Sequence, residues 1–423
     1  MTIYPSQAEE KLGFSALRAR LGEYARSTLG QSRLANMRPS SNLEWVRAEL
    51  ERVSELHQAM QFDDPVPLDH VLDVRQVLRR AAPDEAFVSP EDLLAVYLVV
   101  VTLRETRQYF ESREQKYPRL KHTVSRITPL PELEAHISRV VDEDGNVKDS
   151  ASPELGRLRR MIMLRQSQLR ETLNHALRQA IGEGYATEEQ PTIRNGRMVI
   201  PVRAEARRKV AGFVQDVSAT GQTVYVEPAA SLELNNEIRE LQAEEHREVE
   251  RILKAATARV RAHMAEMRDN VKALAQFDVL QAKARLAREL DAVVPQLNAD
   301  GIIDVREGRN PVLLLHFAQL GREAGPGRTV VPLDLALGED YRTLVITGPN
   351  AGGKTVAMKS VGLFSLMLAY GLPVPMDPLS RLSVFEHVIV DIGDEQSIEE
   401  DLSTFSSHVA NLKYMLRHAG PGT

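Results

Sequence analysis

The first third of the chain has a helical pattern of apolar and polar positions. From residue 6 to about residue 135, apolar residues recur every three to four positions, most clearly in residues 17–29, 43–60 and 90–110. Polar stretches that contain proline separate these segments. Further on, Ser152 followed by Pro153 is a typical helix start, and the pattern after it predicts a helix to about Ala180.

The period changes to two between residues 191 and 227. This pattern predicts strands at 198–202, 213–217 and 223–226, with a tight hairpin turn at Asn195-Gly196. From 229 to 290 there is no proline, and apolar residues largely keep a helical spacing. One unbroken helix over that stretch would be about 93 Å long. We therefore expect either a projecting lever helix or a break near Asp269-Asn270.

Composition narrows the classes of protein that the pattern allows. The chain has 423 residues, 43% of them hydrophobic, which favours two or three domains. The absence of cysteine excludes disulfides, thiolate zinc sites and cysteine nucleophiles. No apolar run reaches transmembrane length, so we expect a cytoplasmic protein without a membrane partner. With a net charge of −6, any contact with nucleic acid must come from a local basic patch.

A phosphate-binding motif is the clearest chemical feature. It reads G-x-x-x-x-G-K-T, between a predicted buried strand at 344–347 and a predicted apolar helix at 356–370. In that setting backbone N–H groups face the phosphates, Lys354 reaches the β and γ oxygens, and the Thr355 hydroxyl ligates Mg²⁺. The motif predicts ATP and Mg²⁺ as cofactors, and its residues are Gly348, Pro349, Asn350, Ala351, Gly352, Gly353, Lys354 and Thr355.

A run of hydroxyl residues precedes a second predicted helix, at 409–417. The run is Ser403-Thr404-Phe405-Ser406-Ser407-His408. Such a helix start can cradle a phosphate, and ordinary N-capping is the alternative. Downstream of a phosphate loop it resembles the signature by which ABC-class ATPases clamp the nucleotide of the other subunit. The resemblance implies a homodimer formed through the ATPase domains, with Ser403, Thr404, Phe405 and Ser406 acting in trans.

Val388-Ile389-Val390-Asp391 imitates a Walker B strand, whose aspartate would hold Mg²⁺. In ABC-class ATPases, however, the Walker B strand usually follows the serine-rich signature, whereas in this sequence Asp391 comes before it. No later apolar strand ends in paired acids. We therefore expect a chain truncated before the catalytic carboxylate, with no complete catalytic set, that binds ATP but hydrolyses it poorly or not at all.

A cluster of basic residues lies on the small β element, with Glu205 as its only acid. Arginine and lysine on a protruding tip suit the DNA backbone, whereas a solvated charged hairpin is the alternative. The candidate DNA contacts are Arg194, Arg197, Arg203, Arg207, Arg208 and Lys209.

Several segments resemble the MutS family. The Pro349-Asn350 pair is typical of its phosphate loop, and residues 307–312 resemble the preceding E-G-R-H-P-V element, with Asn310 in the histidine place. Residues 391–397 and 402–408 are similar to the second bacterial MutS paralogue, the branch that suppresses recombination. None of the ten phenylalanines is followed two positions later by glutamate. The mismatch-reading Phe-x-Glu wedge is therefore absent from this sequence.

This resemblance implies a multidomain α plus α/β fold, with a helical core, long lever helices and a small β clamp, followed by an incomplete ABC-type P-loop ATPase domain. The expected divisions are an N-terminal helical core at 1–150, a lever helix at 151–190, the β clamp at 191–228, a long lever helix at 229–295 and the ATPase domain at 301–423.

The resemblance also implies a dimeric ATPase that clamps branched DNA, such as recombination junctions. Its full-length form would carry a C-terminal Smr nuclease domain that this sequence lacks. Two alternatives remain open at this point. One is a ribosome-binding ATPase that acts on stalled or collided ribosomes, where the clamp would contact ribosomal RNA. The other is an SMC-like structural ATPase.

Overall fold

A computed structural model describes residues 1–186, 188, 190–324, 329–349, 352–392 and 401–423, with the backbone alone for 321–324 and 401–407. The fold is a mixture of helices and small sheets. The described α-helices are α1 (Ala8–Leu12), α2 (Phe14–Tyr24), α3 (Thr28–Ala35), α4 (Leu43–Phe62), α5 (Arg75–Ala81), α6 (Pro90–Glu111), α7 (Pro118–Val124), α8 (Pro131–Val140), α9 (Pro153–Gly182), α10 (Leu232–Ala262), α11 (Met264–Glu289), α12 (Pro311–Ala324), α13 (Lys354–Ala369) and α14 (Asp401–His418).

The described strands form three small sheets. They are β1 (Thr2–Tyr4), β2 (Thr192–Arg194), β3 (Arg197–Arg203), β4 (Gly212–Val217), β5 (Thr223–Pro228), β6 (Gln296–Asn298), β7 (Ile303–Gly308), β8 (Leu333–Leu337), β9 (Arg381–Ser383) and β10 (His387–Ile389). One sheet is the parallel pair β1-β10, the second has the order β2-β3-β5-β4, and the third has the order β6-β9-β7-β8.

The chain forms two compact units. Unit 1 comprises Met1–Asp73, Val99–Pro129 and Ala265–Thr423, and unit 2 comprises Val74–Leu98 and Leu130–Met264. Unit 1 contains the phosphate-loop motif, and unit 2 contains the basic β element.

The core of unit 1 surrounds α13. Phe14 and Leu17 of α2 pack in one buried cluster with Phe364 and Met367 of α13. Helix α13 also lies very close to α1, because a Cβ at Gly362 would lie 2.7 Å from a methyl carbon of Leu12. Glycine is therefore needed where the two helices touch, and the helix that follows the phosphate loop is fixed in the hydrophobic core.

In unit 2, α9 packs on the small β sheet. Leucines spaced by four residues give α9 one apolar stripe, which meets the inward side chains of β3 and β5. The buried members of this core include Leu169, Leu173, Leu177, Ile200, Val202, Val224 and Val226. Ion pairs from Arg159 to Glu245 (2.8 Å) and from Arg165 to Glu237 (2.7 Å) join α9 to α10.

Helices occupy the region that the pattern predicted to be all-α, and the hairpin turn at Asn195-Gly196 is confirmed. Both turn residues have positive φ, 50° and 72°, as a type I′ turn requires. The segment predicted as one helix at 17–29 ends early, at Tyr24. It ends because Asp278 accepts hydrogen bonds from the backbone N–H groups of Arg26 and Ser27, and Ser27 then caps α3.

The long apolar stretch at 229–290 is broken, but not where the sequence suggested. The break falls at His263, between α10 and α11, and the division between the two units falls beside it. Asn270 does not end a helix. Its buried side-chain amide instead accepts from the N–H of Thr128 (2.9 Å) and donates to the carbonyl of Thr128 (2.8 Å), so a polar residue that suggested a break serves as a bridge.

Candidate functional site

The phosphate-loop motif leads directly into the first turn of α13. Gly353 caps this helix in the left-handed region (φ +82°), and Gly348 has φ +145°, so both positions favour glycine. The N–H of Gly352 donates to the carbonyl of Pro349 at 2.9 Å. The predicted residues Asn350 and Ala351 lie outside the described residues.

Lys354 and Thr355 begin α13, where the first backbone N–H groups of a helix have no partner within the helix. The ammonium of Lys354 donates to the carbonyls of Gly348 (2.5 Å) and Pro349 (2.8 Å), so the cation lies against the loop. Thr355 is exposed. A cation, a hydroxyl and unpaired N–H groups at a helix N-terminus are the groups that a phosphate and its magnesium ion require.

The strand predicted at 344–347 does not form. Leu344, Val345 and Ile346 are exposed (42%, 77% and 36%) and have no regular secondary structure. A buried strand needs paired neighbours, and none of the three sheets in the described parts of the chain extends to these residues. The prediction was wrong because an apolar run shows what a segment could bury, whereas strand formation also depends on the neighbouring strands.

The end of α13 opposite the phosphate loop is fixed by a buried ion pair. Lys283 (2% exposed) donates to Glu49 at 2.7 Å and to the carbonyl of Tyr370 at 2.9 Å, just beyond the last turn of α13. Arg52 donates to the same carboxylate at 2.6 Å. Burial raises the pKa of Glu49, but the charges and hydrogen bonds of Lys283 and Arg52 outweigh it and lower the pKa to about 2.

A second polar group holds the Tyr370 side chain. Arg18 donates to the Tyr370 hydroxyl (3.1 Å) and to Glu9 (3.0 Å), and Tyr370 itself donates to Glu9. Burial and the bond to Glu9 raise the pKa of the Tyr370 phenol above its usual range. Sequence reasoning missed both groups. The signal that could have found the first group was Lys283, a charged residue inside the alanine- and leucine-rich stretch of α11.

Asn310, in the histidine place of the E-G-R-H-P-V-like element, has a structural role. Its carboxamide oxygen accepts from the N–H groups of Val312 (3.0 Å) and Leu313 (3.1 Å) at the start of α12. Its amide nitrogen donates to the hydroxyl of Ser360 in α13 at 2.9 Å. Asn310 is only 7% exposed, so its hydrogen bonds tie the start of α12 to the phosphate-loop helix.

Asp391 follows β10, the strand that imitates Walker B. This strand pairs in parallel with the N-terminal strand β1. The carboxylate of Asp391 lies 2.8 Å from Nδ1 of His408 and accepts from Asn411 at 2.8 Å, both in α14. Burial raises the pKa of Asp391, but these two hydrogen bonds outweigh it and lower the pKa. Within the described residues, the carboxylate is thus engaged by α14.

The predicted signature residues belong to the start of α14. The side chains of Ser403, Thr404, Phe405 and Ser406 lie outside the described residues. Further along α14, the ring of Tyr414 stacks on that of Tyr4, with 3.6 Å between centroids.

In unit 2, two of the six candidate DNA contacts are tied into the β sheet. Arg197 donates to Glu227 (2.6 Å) and to Asn236 (2.7 Å), and Glu227 is completely buried. Arg194 lies over the ring of Tyr225, 4.2 Å from its centroid. Both arginines therefore contribute to the structure of the sheet.

The other four candidates are exposed around the short helical turn Ala204–Ala206. Arg203, Arg207 and Arg208 form no ion pair with any residue that the structure describes, and Lys209 lies near the ring of Tyr185. This group of four, Arg203, Arg207, Arg208 and Lys209, is called the basic turn below. Its side chains can reach an external anion.

Two searches of the described residues gave no candidate. None of the helices described is both long and apolar enough to cross a membrane. No group of three or more histidine, aspartate or glutamate side chains in those same ranges could hold a metal ion.

Comparison with known proteins identifies relatives. Residues 344–423 match the family described as MutS domain V. A protein named Endonuclease MutS2 from Pelotomaculum thermopropionicum is 40% identical over 415 residues, which are 98% of this chain and 51% of the relative. Proteins of the same name from Geobacillus thermodenitrificans (40% identical; 96% and 51% covered) and Symbiobacterium thermophilum (38%; 95% and 48%) match similarly.

The matches extend over nearly the whole of this chain, including both compact units. The chain spans about half the length of the curated relatives that it matches. Taken with the phosphate-loop helix α13 and the match to domain V, these relatives show that the chain belongs to the MutS family, as a paralogue of the MutS2 type.

Proposed function

We propose that this chain is the ATP-binding and DNA-binding core of a MutS-type ATPase that clamps branched DNA as a dimer. The observation that carries the proposal is the start of α13, where Gly353, Lys354 and Thr355 present a helix N-terminus without a side-chain cap, a cation and a hydroxyl. These groups fit a nucleoside triphosphate with Mg²⁺.

The residues of the phosphate loop would have distinct tasks. The loop amides and Asn350 would line the phosphates, Lys354 would exchange its bonds to the loop carbonyls for phosphate oxygens, and Thr355 would ligate Mg²⁺. The metal ion, when bound, neutralises charge on the β and γ phosphates. In a dimer, Ser403 with Thr404, Phe405 and Ser406 would complete the partner's nucleotide site.

Branched DNA would be held by the basic turn of unit 2. Its four side chains are exposed and free of ion pairs within the described chain, so they can replace counterions along a DNA backbone. ATP would favour closure of the dimer on DNA through a coupling between the two sites. By this proposal the parent protein suppresses homologous recombination.

The nuclease activity that the relatives' name implies would lie in the part of those proteins that this chain does not match. The relatives carry the name Endonuclease, and the chain covers about half of their length. We assign the cleavage to a further domain of the parent. For this chain we expect ATP binding with little or no hydrolysis.

Replacing Lys354 with alanine tests the nucleotide site. The ATP bound at the phosphate loop should be lost, so that Lys354→Ala binds one ATP fewer per chain than the wild type in equilibrium dialysis, while the circular dichroism spectrum stays unchanged. Lys359→Ala is the matched control, because Lys359 lies further along the same helix and makes no hydrogen bond to the loop residues that the structure describes. An unchanged number of bound ATP in Lys354→Ala would refute the assignment.

Binding to a four-way DNA junction, with and without ATP, tests the DNA part. We expect tight, salt-sensitive binding and no release of phosphate. Binding to ribosomes in place of junctions would overturn the choice of DNA. Rapid phosphate release would show that Asp391 and its neighbours supply the catalytic carboxylate after all.

A further inference from the structure

A cavity with a marked excess of positive charge lies in unit 1, away from the phosphate loop. It has a volume of about 470 Å³ and lies between the end of α3, the first turns of α4 and the middle of α11. Four of its lining side chains are cations, one is an acid and one is an indole: Arg33, Arg38, Arg52, Lys283, Glu49 and Trp45.

One carboxylate faces two cations on the floor of this cavity. Glu49 accepts from Arg52 at 2.6 Å and from Lys283 at 2.7 Å. Its pKa of about 2 keeps it ionised, so the three groups together carry one positive charge. The floor is also rigid, because Glu49 and Lys283 are both buried.

The rim adds two further positive charges. Arg38 is exposed and forms no hydrogen bond or ion pair with any described residue. Arg33 donates to the backbone carbonyl of Lys272 at 2.9 Å and has no carboxylate partner in the described chain. A cavity lined by these groups attracts anions, and guanidinium groups suit phosphate because they can donate two parallel hydrogen bonds.

The indole of Trp45 supplies a flat apolar wall. Trp45 is the only tryptophan of the chain and is 38% exposed, although it is a large aromatic residue on an otherwise well-packed helix. An exposed indole beside arginines can stack against a planar base. The volume of the cavity is within the range of small-ligand sites.

We propose that this cavity is a second binding site, for a free nucleoside phosphate, with the phosphates against Arg38 and Arg52 and the base against Trp45. The site is separate from the phosphate loop. It differs in chemistry too, because arginine side chains provide its donors, whereas the loop provides backbone amides and one lysine.

The fluorescence of Trp45 gives a direct assay, because no other tryptophan contributes. The probe is ADP, added to a Lys354→Ala variant so that the phosphate loop does not contribute. We expect a saturable change in Trp45 emission, with an affinity that falls about tenfold or more in Lys354→Ala/Arg38→Gln. Arg126→Gln is the matched control and should leave the affinity unchanged, because Arg126 is also an exposed arginine of unit 1 whose side chain has no hydrogen-bond or ion-pair partner among the described residues.

Counting bound ADP by equilibrium dialysis separates the two sites. The ADP concentration is set to fill both sites of the wild type but not a site weakened tenfold or more. The wild-type chain should then bind about two ADP, each of the single variants Lys354→Ala and Arg38→Gln about one, and the double variant close to none. Two ADP bound by Lys354→Ala would refute the nucleotide site at the phosphate loop and leave the second site standing. Two bound by Arg38→Gln would refute the second site alone.

Two further probes identify the source of the phosphate. Inorganic pyrophosphate should compete with ADP for the arginines but change Trp45 emission less, because it has no base. A short single-stranded oligonucleotide should bind more weakly than ADP. Tighter, Arg38-dependent binding of the oligonucleotide would overturn the assignment to a free nucleotide, and the absence of any Trp45 response to ADP would overturn the site itself.

Discussion

The buried pair Glu49–Lys283 predicts a large loss of stability when Glu49 is replaced by glutamine. The substitution keeps the size of the side chain but leaves the ammonium of Lys283, which is 2% exposed, without its counter-charge. The fall of the Glu49 pKa from 4.5 to about 2 corresponds to roughly 3 kcal/mol of folding free energy. The loss of one partner of a buried ion pair costs about 3–5 kcal/mol, which agrees.

Urea unfolding followed by the fluorescence of Trp45 measures this change. Trp45 lies on the same helix as Glu49, so its signal reports on unit 1 even if the two units unfold separately. Glu44→Gln is the control, because Glu44 lies on α4 too and pairs with Arg47 at 3.5 Å at the surface. We expect the control to lose less than about 0.5 kcal/mol.

The loss of stability in Glu49→Gln should depend on pH in a predictable direction. Folding lowers the pKa of Glu49, so the ionised carboxylate contributes to the folding free energy. This contribution is fully present at pH values above the unfolded pKa of Glu49 and is lost as the pH falls towards its folded pKa. The difference between wild type and Glu49→Gln should be constant near neutral pH and should shrink below about pH 4.5.

Two results would refute this reasoning. One is a loss below about 1 kcal/mol in Glu49→Gln near neutral pH. The other comes from Glu49→Gln/Lys283→Met, in which the unpaired ammonium is removed. We expect this double variant to be less destabilised than the sum of the two single variants, and strict additivity would show that the charges do not interact.

Two other predictions concern tethered side chains. Asn310→Ala should destabilise the protein by about 1–2 kcal/mol, because it removes the N-terminal cap of α12 together with the hydrogen bond to Ser360. Asn36→Ala, the control at an exposed site, should have little effect in the same urea-unfolding assay. Arg197→Ala should destabilise unit 2 by about 3 kcal/mol, because the buried carboxylate of Glu227 would keep its hydrogen bond from Gln215 but lose the counter-charge of Arg197. Arg207→Ala should leave stability unchanged and reduce the salt dependence of junction binding by about one counterion. Equal effects of the two arginines on either measurement would contradict this division.

Local signals in the sequence predicted the local structure well. The Asn195-Gly196 pair gave the hairpin turn, and the capping Ser152 with Pro153 gave the start of α9, where the Ser152 hydroxyl accepts from the N–H of Leu155. Both are decided by the conformational preferences of a few adjacent residues. Such preferences can be read without knowledge of the rest of the chain.

Features that depend on distant residues were not predictable in the same way. The early end of α2 depends on Asp278, about 250 positions away in the sequence, and the buried state of Lys283 depends on Glu49 and on the carbonyl of Tyr370. Of the candidate basic residues, only the structure separates Arg197, held by Glu227, from the free side chains of the basic turn. Sequence patterns identify the residue types of a site, whereas tertiary partners decide which of them are free to bind.

Helix α13 connects the two sets of interactions that matter most for the proposed function. It is about 24 Å long, with the phosphate loop at its first turn and Tyr370 just beyond its last. Tyr370 is held through its carbonyl by Lys283 and through its hydroxyl by Arg18, so the helical core grips the end of α13 that lies furthest from the nucleotide. A rigid helix transmits displacement along its axis. A nucleotide that shifted the first turn of α13 would therefore strain the hydrogen bonds at Tyr370. Because such coupling is reciprocal, a change in the Glu49–Lys283 pair should alter the affinity for the nucleotide by the same coupling free energy.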